Sequence, residues 1–167
     1  MELDLRNISG RRECNFSLGA DYLTQQEGSD IKGGCVDVDV VVEKRLSVFE
    51  VRLHIEGSAS LECDRCLDLM EMAVETDEVL CVKFGDGYFD NGDGTIVVDE
   101  REGLLDVGWL AYEFVAMRIP AQHVHADGGC NKEMLAYLSA NSGAEKQERE
   151  NNTMDPRWEK LKGITNI

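Results

Sequence analysis

The sequence predicts an α+β fold in which an antiparallel, barrel-like sheet packs against one buried helix. Two observations lead to this fold class. Between residues 36 and 84, apolar and polar residues alternate in several stretches, which is typical of half-buried strands. Between residues 103 and 118, apolar residues recur with helical spacing and cover most of the helix circumference, so we expect this helix to be largely buried.

The strands follow from the period-two pattern. Residues 36–42 carry valine at every second position, and residues 49–55 alternate Phe, Val, Leu and Ile with charged residues or His. The second of these strands is expected to run on to Leu61 after a bulge or bend at Gly57. The other expected segments are a short strand at 2–8, loops with one short element at 9–34, a turn at 43–45, a strand at 71–84, a hairpin loop at 85–94 and a short strand at 95–99.

The C-terminal part divides into three predicted regions. Pro120 ends the helix, because proline disfavours the helical conformation of the residue before it. We expect residues 1–138 to form one domain and the polar residues 139–154 to form a flexible linker. Residues 155–163 have an Asp N-cap, a proline in the first turn and a terminal glycine, which predict a short helix. We expect this helix to bind a partner through Arg157, Trp158 and Leu161. The alternative is that it docks on the protein's own body.

The charge of the chain restricts its partners. Lys and Arg number 17 and Asp and Glu number 33, giving a net charge of −16. Residues 131–167 contain six basic and six acidic residues, so the whole excess lies in residues 1–130. Such a body repels phosphate backbones and favours a basic partner. The alternative is that the charge only maintains solubility.

The sequence also predicts a cytoplasmic location. No apolar run approaches the ~20 residues that cross a bilayer, and the first residues lack the basic and apolar regions of a signal peptide. Because the cytoplasm is reducing, the six cysteines are not interpreted first as disulfides.

Two clusters of cysteine and histidine predict one metal centre. Cys63 and Cys66 have the spacing with which two thiolates bind one zinc ion, and His125 and Cys130 lie in a glycine-containing segment after the helix. His123 is the alternative histidine ligand. Three cysteines and one histidine would fill a tetrahedral site, so the zinc would be structural. A redox pair of Cys63 and Cys66, or cysteines buried without metal, are the alternatives.

Catalytic motifs are missing from the sequence. There is no phosphate-binding glycine loop and no nucleophile elbow, so we expect no enzymatic activity and no small-molecule substrate. Residues 89–100 superficially resemble a calcium-binding loop, but Phe89 stands where the first aspartate ligand is needed.

The order of these features resembles the YceD family. The resemblance rests on Leu61-Glu-Cys-Asp-Arg-Cys-Leu67, on Ile119-Pro120 at the helix end, on the His/Cys cluster and on Asp155-Pro-Arg-Trp158. It covers roughly residues 35–134 and 155–161. Family members often carry two or more cysteines after the proline, whereas this chain has two histidines and Cys130. The resemblance therefore implies that one histidine replaces a thiolate.

The resemblance implies a role in the accumulation of large-subunit ribosomal RNA. We therefore expect a non-enzymatic accessory factor that contacts a ribosomal protein, ribosomal RNA or the precursor ribosome, and no membrane. The acidic body would hold a basic protein, or a small basic patch of Arg11, Arg12, Lys44 and Arg45 would contact RNA. The alternative is a redox- or zinc-responsive regulator that uses Cys63 and Cys66.

Overall fold

The computed structural model describes residues 1–26, 28–90, 92 and 94–141, and strands are its main secondary structure. The strands are β1 (Glu2–Asp4), β2 (Arg11–Leu18), β3 (Ile31–Arg45), β4 (Val48–Glu62), β5 (Leu69–Gly85), β6 (Phe89–Asp90), β7 (Thr95–Asp99) and β8 (Leu104–Asp106). The helices are α1 (Ala20–Leu23), α2 (Val107–Arg118) and α3 (Lys132–Asn141), and Leu5–Asn7 form a 3-10 helix.

Six of the strands form one sheet in the order β2-β3-β4-β5-β7-β6, and β1 pairs with β8. The expected α+β character is present, but the prediction of a barrel-like sheet is wrong, because the sheet is not closed. Only residues Cys81–Gly85 of β5 pair with β7, and β6 has two residues, so this side of the sheet is too short to curl round and pair with β2. The sheet is also not wholly antiparallel, since β5 and β7 run parallel.

The three long strands β3, β4 and β5 form an antiparallel meander that carries the core. The inner face of β3 buries Val36, Val38, Val40 and Val42, as the alternation predicts. β3 is longer than expected, and the turn lies at Leu46 and Ser47 rather than at residues 43–45. Leu46 has φ +56°, which is a conformation that tight hairpin turns require.

Gly57 does not form the bulge that we expected. β4 pairs continuously through this residue, with Gly57 opposite Val36 of β3 and Val74 of β5. A Cβ atom at Gly57 would lie 2.3 Å from the carbonyl oxygen of Cys35. Glycine is therefore needed because the two backbones approach closely.

Helix α2 is shorter than the predicted 103–118, because residues 104–106 form β8 beside β1. Asp106 is its N-cap and accepts hydrogen bonds of 3.0 Å from the N–H groups of Gly108 and Trp109. The helix ends at Arg118, before Pro120, as predicted. It buries one side only: Leu110, Ala111 and Val115 are buried, whereas Trp109 and Met117 are 37% and 69% exposed.

Three further elements differ from the prediction in length or in kind. Residues 9–34 contain a full strand, β2, followed by the one-turn helix α1, and α3 runs to Asn141 into the predicted linker. The remainder of that linker, the helix predicted at 155–163 and its residues Arg157, Trp158 and Leu161 lie outside the described residues.

None of the described helices combines the length and the apolar character that spanning a membrane requires.

Candidate metal centre

The turn between β4 and β5 presents two thiols to the interior. The Leu67 N–H donates to the carbonyl of Cys63 at 2.8 Å, and the Cys63 N–H donates to the carbonyl of Asp68 at 3.0 Å. Leu67 adopts φ +63°, which closes the turn. Cys63 and Cys66 are buried as a result. β5 follows directly, as predicted, so this CxxC pair is not at the N-terminus of a helix as in thioredoxin-like proteins.

The loop after α2, residues 119–131, lies against this turn. The Asp64 N–H donates to the carbonyl of His123 at 2.9 Å, and the His123 N–H donates to Asp64 Oδ2 at 2.7 Å. Asn131 Nδ2 donates to Asp68 Oδ2 at 3.1 Å. The loop is therefore fixed to the turn at both of its ends.

This arrangement brings Cys63, Cys66, His125 and Cys130 together. Their donor atoms all lie within 4.8 Å of one another. Cys63 Sγ lies 3.9 Å from Cys130 Sγ, and Cys66 Sγ lies 3.4 Å from His125 Nδ1. In a tetrahedral zinc site with ordinary bond lengths, these separations would be about 3.8 Å and about 3.5 Å. The donor set and its geometry thus fit a zinc ion.

The two histidines have different positions. His125 Nε2 lies 3.3 Å from the carbonyl oxygen of Leu69, so it donates there and leaves Nδ1 free for a metal. His123 lies outside the cluster. Its Nδ1 is 3.2 Å from the carbonyl oxygen of Pro120 and its Nε2 is 3.7 Å from Asp64 Oδ1. The structure therefore places His125 among the cysteines and uses His123 to support the loop.

The backbone prepares Cys63 to carry a negative charge. Burial raises the pKa of its thiol, but the backbone N–H groups of Cys66, His125 and Arg65 together lower that pKa to about 5. Burial raises the pKa of Cys130, and the nearby Cys63 and Cys66 raise it further. A cation placed between the three sulfurs would remove this repulsion, and zinc binds cysteine as the thiolate.

Apolar side chains surround the sulfurs. Met70, Val124, Met134 and Leu135 pack against Cys63, Cys66 and Cys130. Two of them belong to α3, whose first turn is capped by Asn131: its Oδ1 accepts from the N–H groups of Glu133 and Met134 at 3.0 Å and 3.3 Å. Sequence reasoning missed this helix, although an Asn N-cap followed by Glu133 in the first turn is a signal for one.

The other cysteines are separate from this cluster. Cys14 is half-buried, and Cys35 and Cys81 are exposed. Within the described part of the chain, one group of Cys, His, Asp and Glu residues is close enough to hold a metal ion, and it consists of Cys63, Cys66, His125 and Cys130.

The basic residues that we expected to contact RNA are close together but partly neutralised. Register places Arg11 opposite Glu43, near Lys44 and Arg45, at one end of the sheet. Arg11 pairs with Glu13 at 2.5 Å and Arg45 pairs with Glu43 at 3.0 Å.

A family model described as "Large ribosomal RNA subunit accumulation protein YceD" matches residues 51–165, well over half of the chain. The chain belongs to the YceD family. The YceD match contains all four residues of the metal centre, together with most of β4 and all of β5 and α2. Comparison with curated proteins and with solved structures gives no match.

Proposed function

We propose that the protein is a non-enzymatic accessory factor for the accumulation of large-subunit ribosomal RNA or for assembly of the large subunit, acting in the cytoplasm. The YceD match carries this proposal, since the family is named for that process. The factor acts through contacts with a ribosomal protein, ribosomal RNA or the precursor ribosome.

The metal in this proposal is a structural zinc ion held by Cys63, Cys66, His125 and Cys130. Four protein ligands fill a tetrahedral site and leave no open position for a substrate. The ion would join the β4–β5 turn, which carries Cys63 and Cys66, to the loop after α2, which carries His125 and Cys130. These two segments are distant in sequence. Its role would therefore be to fix the fold around the loop and α3.

A basic protein is the partner that the charge of the sheet favours. On the outer face of the meander, Asp37, Glu56 and Glu75 lie in one cross-strand row. Asp39, His54 and Asp77 lie in the next row. Like charges placed opposite each other repel, and a basic partner would relieve that repulsion. The basic patch near Arg11 is smaller, and Arg11 and Arg45 in it already pair with acidic residues, so RNA contacts would be local.

Deletion of the gene tests the function. We expect the ratio of large-subunit to small-subunit ribosomal RNA to fall, and wild-type protein to restore it. A Cys63→Ser variant should restore it poorly, whereas Cys35→Ser, a change at an exposed cysteine away from the centre, should restore it fully. An unchanged ratio in the deletion strain would contradict the proposal.

Affinity purification identifies the type of contact. If ribosomal proteins are still recovered after ribonuclease treatment, the partner is a protein that binds directly. If ribonuclease abolishes their recovery, the contact is made through RNA.

The second candidate is a redox- or zinc-responsive regulator. The observation in its favour is that the Cys63 thiol, whose pKa is lowered to about 5, lies in one cluster with Cys66 and has its Sγ 3.9 Å from Cys130 Sγ. Mild peroxide treatment should then release zinc, form a disulfide and change ribosomal RNA levels in cells. If zinc is retained under conditions that oxidise the exposed Cys35, this candidate is wrong.

A further inference from the structure

One long stretch of β5 has a free edge. β5 spans Leu69–Gly85, but only its last five residues, Cys81–Gly85, pair with β7. The side of Leu69–Leu80 that faces away from β4 has no neighbouring strand among the described residues. Strand edges of this kind can pair with a further strand.

The register identifies which backbone groups lie on that edge. The Cys81 N–H donates to the carbonyl of Gly94 and the Glu100 N–H donates to the carbonyl of Gly85, so odd-numbered residues point away from β4. The carbonyl of Leu69, another odd-numbered residue, also points away from β4, since it lies 3.3 Å from His125 Nε2. Because the β4–β5 pairing has no bulge, the same alternation holds throughout the strand. The free β5 edge therefore consists of the N–H and C=O groups of Glu71, Ala73, Glu75, Asp77 and Val79.

No other part of the described chain hydrogen-bonds to these five backbone positions on that side. All five residues are exposed. Residues 69–80 contain no proline, no bulge and no lysine or arginine, so the features on this edge that oppose strand addition are acidic side chains alone. Acidic side chains repel an acidic strand but attract a basic one. By contrast, the free edge of β2 is shorter and carries Arg11 and Arg12, and β6 has only two residues.

The charge of the free β5 edge is entirely acidic. Glu71, Glu75 and Asp77 lie on the outer face and Glu78 on the inner face. Among the described residues, Asp77 contacts His54 and Glu78 contacts Arg118, whereas Glu71 accepts hydrogen bonds from Ser58 and Ser60 but has no ion-pair partner. Glu75 has no ion-pair partner in the described structure. Two copies pairing edge to edge would place these carboxylates opposite one another, which is unfavourable.

We propose that the free β5 edge binds an extended, basic segment of a partner protein as an additional strand of the sheet. The backbone groups of Glu71–Val79 supply the hydrogen bonds, and alternate lysine or arginine side chains of the added segment lie beside Glu71, Glu75 and Asp77. This is strand addition with charge selecting the partner. The surface is separate from the metal centre, and the inference does not depend on a role in ribosomal RNA accumulation.

A labelled peptide of about nine residues that alternates lysine with valine, the length that spans Glu71 to Val79, tests the inference. It should bind the full-length protein in fluorescence anisotropy, and exchange of the N–H groups of Ala73, Glu75 and Asp77 should slow. The same peptide with N-methyl groups along both edges keeps its charge but can donate no backbone hydrogen bond to β5 in either orientation, so it loses half of its edge hydrogen bonds. Its binding should be at least about tenfold weaker.

Two protein variants separate backbone pairing from charge. Ala73→Pro removes an N–H that β4 does not use and should weaken binding by about tenfold or more. Glu75→Gln with Asp77→Asn should also weaken binding, whereas Glu100→Gln with Glu102→Gln, the same change of charge at exposed positions after β7, should have little effect.

Equal binding of the normal and N-methylated peptides overturns the proposal. This comparison uses the wild-type protein, so its result does not depend on whether the Ala73→Pro variant folds. Absence of amide protection at saturating peptide also overturns it. If the protein instead self-associates through this edge, sedimentation will show a dimer that Ala73→Pro abolishes, and the proposed partner class is wrong.

Discussion

His125 and His123 lie two residues apart and have different surroundings. His125 presents Nδ1 to Cys66 while its other nitrogen is held by Leu69, and His123 is held by Pro120 and Asp64. From sequence, both histidines were candidates, because alternation alone does not say which one points inward. The contacts that distinguish their positions come from Asp64, Cys66 and Leu69, about 60 residues earlier in the chain.

A substitution at His125 should therefore affect metal binding more than one at His123. We expect His125→Ala to weaken zinc binding by at least about tenfold, because it removes a ligand. His123→Ala should change zinc affinity less and act through the loop. Competition titration with a zinc chelator measures both, and the reverse order would make His123 the ligand.

Cys63 and Cys130 connect the two halves of the centre. Purified protein should contain about one zinc ion per chain, and Cys63→Ser or Cys130→Ser should reduce this to about none. Because metal binding and folding are coupled in such sites, the thermal midpoint should fall as well. Elemental analysis and calorimetry measure these effects, with Cys35→Ser as the control. Normal zinc content in both variants would contradict the proposed site.

The strands were easier to predict than the helices. Alternation along β3, β4 and β5 is strong because one face is buried and the other carries charge. β2 is predicted only as a short element around Phe16 and Leu18, because its first three residues, Arg11–Glu13, are all charged and show no alternation. The N-terminal limit of α2 was placed too early because Leu104 and Leu105 continue the apolar pattern, although they belong to β8.

Asp106 joins the start of α2 to the N-terminus of the chain. Besides capping the helix, its Oδ1 lies 3.0 Å from the Met1 ammonium group. Asp106→Ala removes both contacts and should lower the free energy of unfolding by about 1 kcal/mol, which is typical of an N-cap. Asp106→Asn keeps an oxygen acceptor and should cost less. Chemical denaturation measures the difference, and equal effects would mean that the ion pair matters more than the cap.

At the scale of the whole molecule, the α+β class and the grouping of distant cysteines follow from sequence, but the open sheet does not. Whether a sheet closes depends on how its last strands pair. That pairing involves β5, β6 and β7, whose parallel and antiparallel contacts have no local signal. The predicted terminal helix and its residues Arg157, Trp158 and Leu161 stay a prediction.

The acidic body should bind RNA weakly. We expect little retention of generic single-stranded or double-stranded RNA at physiological salt, with any binding at low salt decreasing steeply as salt rises. Filter binding at several salt concentrations measures this. Replacing Arg11 and Arg12 with alanine should reduce the low-salt binding, and tight binding at physiological salt would contradict the charge argument.

The distance along the chain between the two halves of the metal centre affects how fast the protein folds and unfolds. β3, β4 and β5 are joined by short connections, so they can pair early, whereas Cys130 must return across 67 positions to reach Cys63. If the centre closes after the rate-limiting step, zinc should leave the refolding rate unchanged and slow unfolding. Protein loaded with zinc would then have a longer lifetime as a folded molecule than protein without it, although both would form equally fast.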